Sequence, residues 1–276
     1  WDTSNVSNMF RMFNNATSFN QPLNNWDTSN VSNMSYMFNN AENFNQNLSN
    51  FTFESLNPVD SMINMLNSSG INVSNYNDIL NDWSNKSPPN DVNFTANNLK
   101  YSLLGVPGRN KLINNYAWEI TNDKFQPQDK TELKTAVDEW IGDEATALLV
   151  YGEINTWDTS LVTDMSNLFK DETTFNDNIN EWDTSNVSNM FRMFNNATSF
   201  NQPLNNWDTS NVSNMSYMFN NAENFNQNLS NFTFESLNPV DSMINMLNSS
   251  GINVSNYNDI LNDWSNKSPP NDVNFT

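Results

Sequence analysis

A tryptophan returns at a fixed interval: Trp1 and Trp26, then Trp157, Trp182 and Trp207. The residues behind each one repeat as well. The first stretch reads WDTSNVSNMFRMFNNATSFNQPLNN, the next WDTSNVSNMSYMFNNAENFNQNLSN, and residues 157–181 a looser WDTSLVTDMSNLFKDETTFNDNINE. Residues 51–75 keep Val59, Met62, Met65 and Leu66 in a decayed copy. A unit this short cannot cover its own apolar face, so such units reach stability only by stacking on their neighbours. The period therefore predicts a solenoid.

Within a unit, Val31, Met34, Met37, Phe38, Ala41 and Phe44 are spaced 3, 3, 1, 3 and 3. That spacing predicts one face of a helix, preceded by the N-cap residues Asp27-Thr28-Ser29-Asn30. Leu48-Ser49-Asn50-Phe51 is long enough for one short strand. The expected fold class is an α/β solenoid with one short strand and one helix per 25-residue repeat, its strands pairing in parallel from coil to coil. Equivalent side chains then form ladders. Trp26, Phe38, Trp157, Trp182, Phe194, Trp207 and Phe219 are the expected core ladder. Asn20, Asn45, Asn176, Asn201 and Asn226 follow the last Phe of each unit and form an expected Asn ladder at the turn.

A longer period overlies the short one. Residues 1–95 recur, letter for letter, as residues 182–276. Cores tolerate many substitutions of similar volume, so this identity signals recent duplication or a segment of a longer array of 181-residue units. On this reading residues 1–75 are the C-terminal coils of one unit and 76–121 its C-terminal cap. That cap has helices near Tyr76–Trp83 and Arg109–Asn115, and extended stretches at Leu99–Tyr101 and Tyr116–Thr121. Residues 122–128 are the linker. Residues 129–156 form the N-terminal cap of the next unit, with Asp129 capping a helix over Lys130–Ile141. Residues 157–256 are its coils and 257–276 the start of its C-terminal cap.

Composition removes several function classes. The net charge is −20 with 11 basic residues, which argues against a nucleic-acid partner and against adhesion to anionic lipid. The chain has no Cys and no His, so zinc sites, thiol nucleophiles and Ser-His-Asp triads are absent from it. No run of apolar residues is long enough to span a bilayer, so no membrane helix is expected in this stretch. The adjacent acids Asp138 and Glu139 sit on a polar helix face without pocket logic, and no enzyme activity is expected.

The signature WDTSNVSNM..MF..A..FNQ.L at 25-residue spacing resembles the BspA-like or DUF285 leucine-rich-repeat surface proteins. The resemblance covers nearly the whole chain, including ELKTAVDEW…YGEINTWDTSLVTDMSNLF and YNDILNDWSN…LKYS…GRNKLINNYAWEIT. It implies a right-handed solenoid of leucine-rich-repeat type, found mostly in surface and secreted lipoproteins and adhesins, with no catalytic residues to carry over. It further implies an extracellular or surface location.

Three candidate sites have competing readings. Asp27, Asp183 and Asp208 belong to an acidic row that either caps helices or holds calcium between coils; capping is preferred because Asp is a strong N-cap and the Asp-rich calcium loops are missing. No other cofactor is expected. Sequons are dense in an Asn/Ser/Thr-rich chain. Those at Asn67, Asn85, Asn93, Asn248, Asn266 and Asn274 are candidate N-glycosylation sites, against a strong expectation of chance. Two functions compete. One is a structural filament or stalk built from identical units, whose partners are adjacent copies. The other is an adhesin whose repeated face grips a glycan or a host or cell-surface protein, with avidity from repetition.

Overall fold

In the repeats the backbone turns where a helix is expected. The computed structural model describes residues 1–238 and 241–267. Met37 N–H donates to the Met34 carbonyl at 3.1 Å and Ala41 N–H to that of Phe38 at 3.0 Å, each closing a four-residue turn. The third residue of each turn, Tyr36 at φ 57° and Asn40 at φ 56°, is left-handed, the sign pattern of a type II turn and one that an α-helix excludes. The same pair of turns recurs with Arg11 and Asn15, Asn167 and Asp171, Arg192 and Asn196, and Tyr217 and Asn221 at those corners. Turn corners three and four residues apart bury the same positions that a helical stripe would. Val31, Met34, Met37, Phe38, Ala41 and Phe44 are all fully buried.

The alternate N–H groups explain why turns win. Met34, Tyr36, Phe38 and Asn40 donate across to the carbonyls of Ser61, Ile63, Met65 and Asn67 at 2.8–3.0 Å. A helix would spend those donors within the coil and leave the neighbouring coil unpaired. The expected strand at Leu48–Phe51 is also a turn, closed from Phe51 N–H to the Leu48 carbonyl at 3.0 Å. Parallel bridging lies elsewhere, at Asn8 with Asn33, and at Asp164 with Asn189 and Asn189 with Asn214.

The chain divides into two units, Trp1–Gln126 and Pro127–Thr276. In the first, the coils are followed by α1 (Val73–Ser84), β1 (Asn93–Thr95), β2 (Lys100–Tyr101), α2 (Val106–Tyr116), β3 (Glu119–Thr121) and β4 (Lys124–Phe125). β1 pairs in parallel with β3, Phe94 opposite Ile120, and β2 with β4, Tyr101 opposite Phe125. Residues 122–126 are therefore not a linker: β4 is part of a sheet and Gln126 is buried, its N–H donating to the Tyr101 carbonyl at 2.8 Å.

The second unit opens with α3 (Lys130–Gly142), capped by the Asp129 carboxylate on Glu132 N–H. α4 (Glu144–Tyr151) follows, capped by Asp143. The Trp-led coils come next, then α5 (Val254–Ser265). Residues 268–276, most of the expected start of its C-terminal cap, lie outside the described residues. Trp157, Trp182 and Trp207 are at most 3% exposed, and Phe169, Phe194 and Phe219 stack at 5.3 and 5.4 Å with planes 3° apart. Each indole reaches back to an earlier backbone: Trp182 Nε1 donates to the Ile154 carbonyl at 2.7 Å and Trp207 Nε1 to that of Ile179 at 3.1 Å. In the first unit Phe38 is fully buried, whereas Trp26 is only half-buried and Trp1 is 91% exposed.

A threonine ladder runs beside this core. The Thr184 hydroxyl donates to the Asp208 carbonyl at 2.8 Å and accepts from Asp208 N–H at 2.9 Å, joining one coil to the next. Thr3, Thr28 and Thr209 do the same for Asp27, Thr52 and Thr233. All four hydroxyls belong to buried residues. The Thr of WDTS is thus a coil-to-coil clasp rather than a helix cap. Thr184→Val keeps the volume but strands the part-buried N–H and C=O of Asp208. It is expected to cost about 1–3 kcal/mol, read as a lower urea midpoint at unchanged m value.

Candidate interaction surface

The Asp of each WDTS folds onto its own turn, and Asp27, Asp183 and Asp208 face solvent. Asp27 Oδ1 accepts from Ser29 N–H at 2.9 Å, Asp183 Oδ1 from Ser185 N–H at 3.0 Å, and Asp208 Oδ1 from Ser210 N–H at 2.9 Å. The hydrogen bonds from Ser29 hold the Asp27 carboxyl below the usual carboxylate range. These residues close Asx turns, not helix N-caps, since no helix follows them. Among the described residues no group of three or more acidic side chains converges as a metal cage would require. Asp138 is paired with Lys134 one helical turn back, and Glu139 accepts the Tyr151 hydroxyl at 2.7 Å; the two acids have no shared pocket.

The Asn ladder is a chain of side-chain to backbone bonds. Asn20 Oδ1 accepts from Asn45 N–H, Asn45 Oδ1 from Asn72 N–H, Asn176 Oδ1 from Asn201 N–H, Asn201 Oδ1 from Asn226 N–H, and Asn226 Oδ1 from Asn253 N–H, all at 2.8–3.0 Å. A second row was not read from the sequence: Asn39 Nδ2 donates to Asn14 Oδ1 at 2.9 Å and Asn67 Nδ2 to Asn39 Oδ1 at 2.7 Å. Part of the abundant asparagine is therefore consumed in joining coils, while Asn33, Asn47 and Asn214 close turns within their own coil.

That consumption bears on the sequons. The amide nitrogen to which a glycan would be attached is already donating in Asn67, in Asn85 to the Asn81 carbonyl, in Asn93 to Asp60, and in Asn266 to the Asn262 carbonyl. Asn248 is exposed. Asn274 lies outside the described residues.

The aromatic cluster that does face outward was missed. Arg11 Cζ lies 5.0 Å from the Phe10 ring and 5.1 Å from the Tyr36 ring; Arg192 Cζ lies 4.7 Å from Phe191 and 5.1 Å from Tyr217. In both places the two rings meet edge to face at 6.1 Å. Arg and Tyr occupy left-handed corners where the same column elsewhere carries Asn167, the residue best suited to that backbone. The cation–π contacts offset part of that strain. The signal was arithmetical: Tyr36 stands one full period after Arg11, hence directly on the next coil.

At the end of the first unit's cap, Arg109 grips Asp123 with two bonds, Nε to Oδ2 at 2.8 Å and Nη2 to Oδ1 at 2.9 Å, with side chains 11% and 1% exposed. The guanidinium also lies 4.7 Å from the Tyr101 ring, and the Tyr76 hydroxyl donates to Asp123 at 3.2 Å. Burial, then the Asp123 carboxylate, pushes the Tyr76 phenol well above its usual 10.0. The unfolded chain ionises this tyrosine near its ordinary value. The stability that comes from keeping it neutral is fully present below that pH and is lost as pH rises through the folded-state value. The first unit should therefore weaken from about pH 10 upward, and Tyr76→Phe should flatten that decline in a series of urea midpoints against pH.

Among the described residues no helix is long and apolar enough to cross a membrane. The family model described as Mycoplasma protein of unknown function, DUF285, matches residues 1–88 and 135–264. No curated protein and no solved structure matches the chain.

Proposed function

The chain belongs to the DUF285 family, and from that premise we propose that it is a structural repeat protein and not an enzyme. Its 25-residue coils build a right-handed solenoid of the leucine-rich-repeat kind, and identical units join end to end into a filament or stalk on an extracellular or cell surface. One observation carries this reading. The polar side chains that could have formed a site are instead spent between coils, with Thr184 clasping Asp208 and Asn201 holding Asn226 at bonding distance. Side chains organised this way stiffen a stack, and among the described residues no group of three or more acidic side chains converges as a metal site would need.

Negative-stain electron microscopy tests the proposal. The purified chain, and the native material that contains it, should appear as rods with a constant axial repeat. Flexible, irregularly spaced globules would overturn it. A second reading, adhesion, is favoured by the outward Phe191–Arg192–Tyr217 cluster, which recurs as Phe10–Arg11–Tyr36. An aromatic pair flanking a guanidinium suits the apolar face and hydroxyls of a sugar ring. If adhesion is the function, the variant that removes both clusters, Phe10→Ala/Tyr36→Ala/Phe191→Ala/Tyr217→Ala, should lose glycan-array binding while its fold is retained, and Phe191→Ala/Tyr217→Ala alone should weaken it.

A further inference from the structure

The corner column that holds Arg192 changes residue from coil to coil. It reads Asn167, Arg192, Tyr217 and Asn245, all left-handed, with φ between 52° and 59°. Asparagine adopts that backbone readily, whereas a long or aromatic side chain does so at a cost. Coil stability alone therefore favours Asn at all four corners. Arg192 and Tyr217 also lie within the stack rather than at an end of it. Asn167 N–H donates to the Phe191 carbonyl at 2.9 Å, Arg192 N–H to that of Ser216 at 3.0 Å, and Tyr217 N–H to that of Ile244 at 2.9 Å. The partial exposure of Phe191, Arg192 and Tyr217 thus belongs to the flank of the coils and persists with a coil on either side.

The Arg192 side chain is held but not neutralised. Phe191 and Tyr217 hold it between them, and cation–π contact supplies no acceptor for the guanidinium N–H donors. Asp171 is close enough to respond. Lys170 and Asn196, and least of all Arg192, hold its carboxyl below the usual carboxylate range. Its hydrogen bonds nevertheless go to Lys170 and to Asn196 Nδ2. Among the described residues the Arg192 guanidinium has no carboxylate partner and no hydrogen-bond acceptor. Arg109, Lys130, Lys134 and Lys170, by contrast, each pair with an aspartate. Arg192 therefore occupies a strained corner without the ion pair that would repay it.

We propose that Arg192, held by Phe191 and Tyr217, binds the carboxylate of an acidic sugar. The planar guanidinium fork matches a carboxylate with two parallel N–H···O bonds. The exposed parts of the two rings take the apolar face of the same sugar. Phe10, Arg11 and Tyr36 repeat the arrangement and supply a second site. The inference rests on the adhesive reading of these clusters and names its ligand class: a carboxylated glycan rather than a neutral one.

The test uses the full chain and a glycan panel of matched pairs. Oligogalacturonate, oligoguluronate and hyaluronan oligosaccharides each stand beside their carboxyl-reduced forms. The wild type should bind an acidic member about tenfold or more tighter than its reduced partner, as a charge-assisted bidentate contact requires. Arg11→Asn/Arg192→Asn places at both corners the residue found at Asn167 and Asn245. That variant should keep its urea midpoint and yet lose the preference. Arg11→Lys/Arg192→Lys keeps the charge without the fork and should lose most of it. A preference that survives either substitution overturns the inference. Equal binding of acidic and reduced forms also overturns it, while leaving adhesion to neutral glycans standing. Binding to no glycan, acidic or neutral, overturns both.

Discussion

Asp123→Ala is expected to lower the stability of the unit formed by residues 1–126 by about 3–5 kcal/mol, the usual result of leaving one member of a buried ion pair alone. The orphan would be Arg109. Burial alone would lower its pKa, but the bonds and charge of Asp123 outweigh burial and hold it raised. Without Asp123 the guanidinium keeps its charge, since arginine does not deprotonate in proteins, and must stay among Tyr76, Tyr101 and the cap with two donors unpaired. The loss is too large for a surface bridge such as Lys134 to Asp138, where removal should change stability by less than about 1 kcal/mol. Replacing both partners, Arg109→Met with Asp123→Leu, should restore most of the lost stability, because an apolar pair of similar volume incurs no desolvation of charge. Urea unfolding of the wild type, both single variants and the double variant reads this directly. Single-variant losses within the surface-bridge range, below about 1 kcal/mol, would mean the pair is solvated rather than buried.

Asp123 shows where the sequence was and was not legible. It sits in NDKFQPQ, polar apart from Phe125 and Pro127, and local composition reads that stretch as a linker. Its partner Arg109 lies back on α2, and only folding brings them together. Helix α3 was legible because its signals are local, Asp129 before Lys130–Gly142 and an apolar face through Leu133, Ala136, Val137 and Trp140, whereas α4 over Glu144–Tyr151 was not read. The 25-residue period, and with it the positions that stack, was legible because identical residues recur. The path of the backbone inside a coil was not. The turn ends at Met34, Met37, Phe38 and Ala41 have helical spacing, and nothing in the side chains distinguishes a helix from turns whose N–H groups bond sideways. The threonine clasp was hidden for the same reason. Its hydroxyl serves the backbone of the next coil, while its neighbours Asp and Ser make it look like part of a cap.

Phe194→Ala should destabilise the second unit by about 3–5 kcal/mol, as expected for an aromatic truncated in a packed core. Phe194 is fully buried between Phe169 at 5.3 Å and Phe219 at 5.4 Å, with Phe200 at 4.1 Å. The chain contains its own control. Phe13 occupies the same place in the identical copy, against Phe38 at 5.3 Å and Phe19 at 4.0 Å, but it is only half-buried. Phe13→Ala should cost roughly 1–2 kcal/mol, in proportion to the smaller apolar area returned to water. Local sequence, helix propensity and unfolded-state structure are matched at the two positions, so these terms nearly cancel in the comparison. What remains is the difference in burial of the two rings. Amide exchange resolved by residue, which follows each unit separately, measures both losses in the same sample series. Equal losses at the two positions would mean that rung-to-rung stacking contributes nothing beyond each coil's own packing. The expected gap, about 2 kcal/mol from the cavity cost at one site and the area cost at the other, would make the stack cooperative, each coil stabilised by the next.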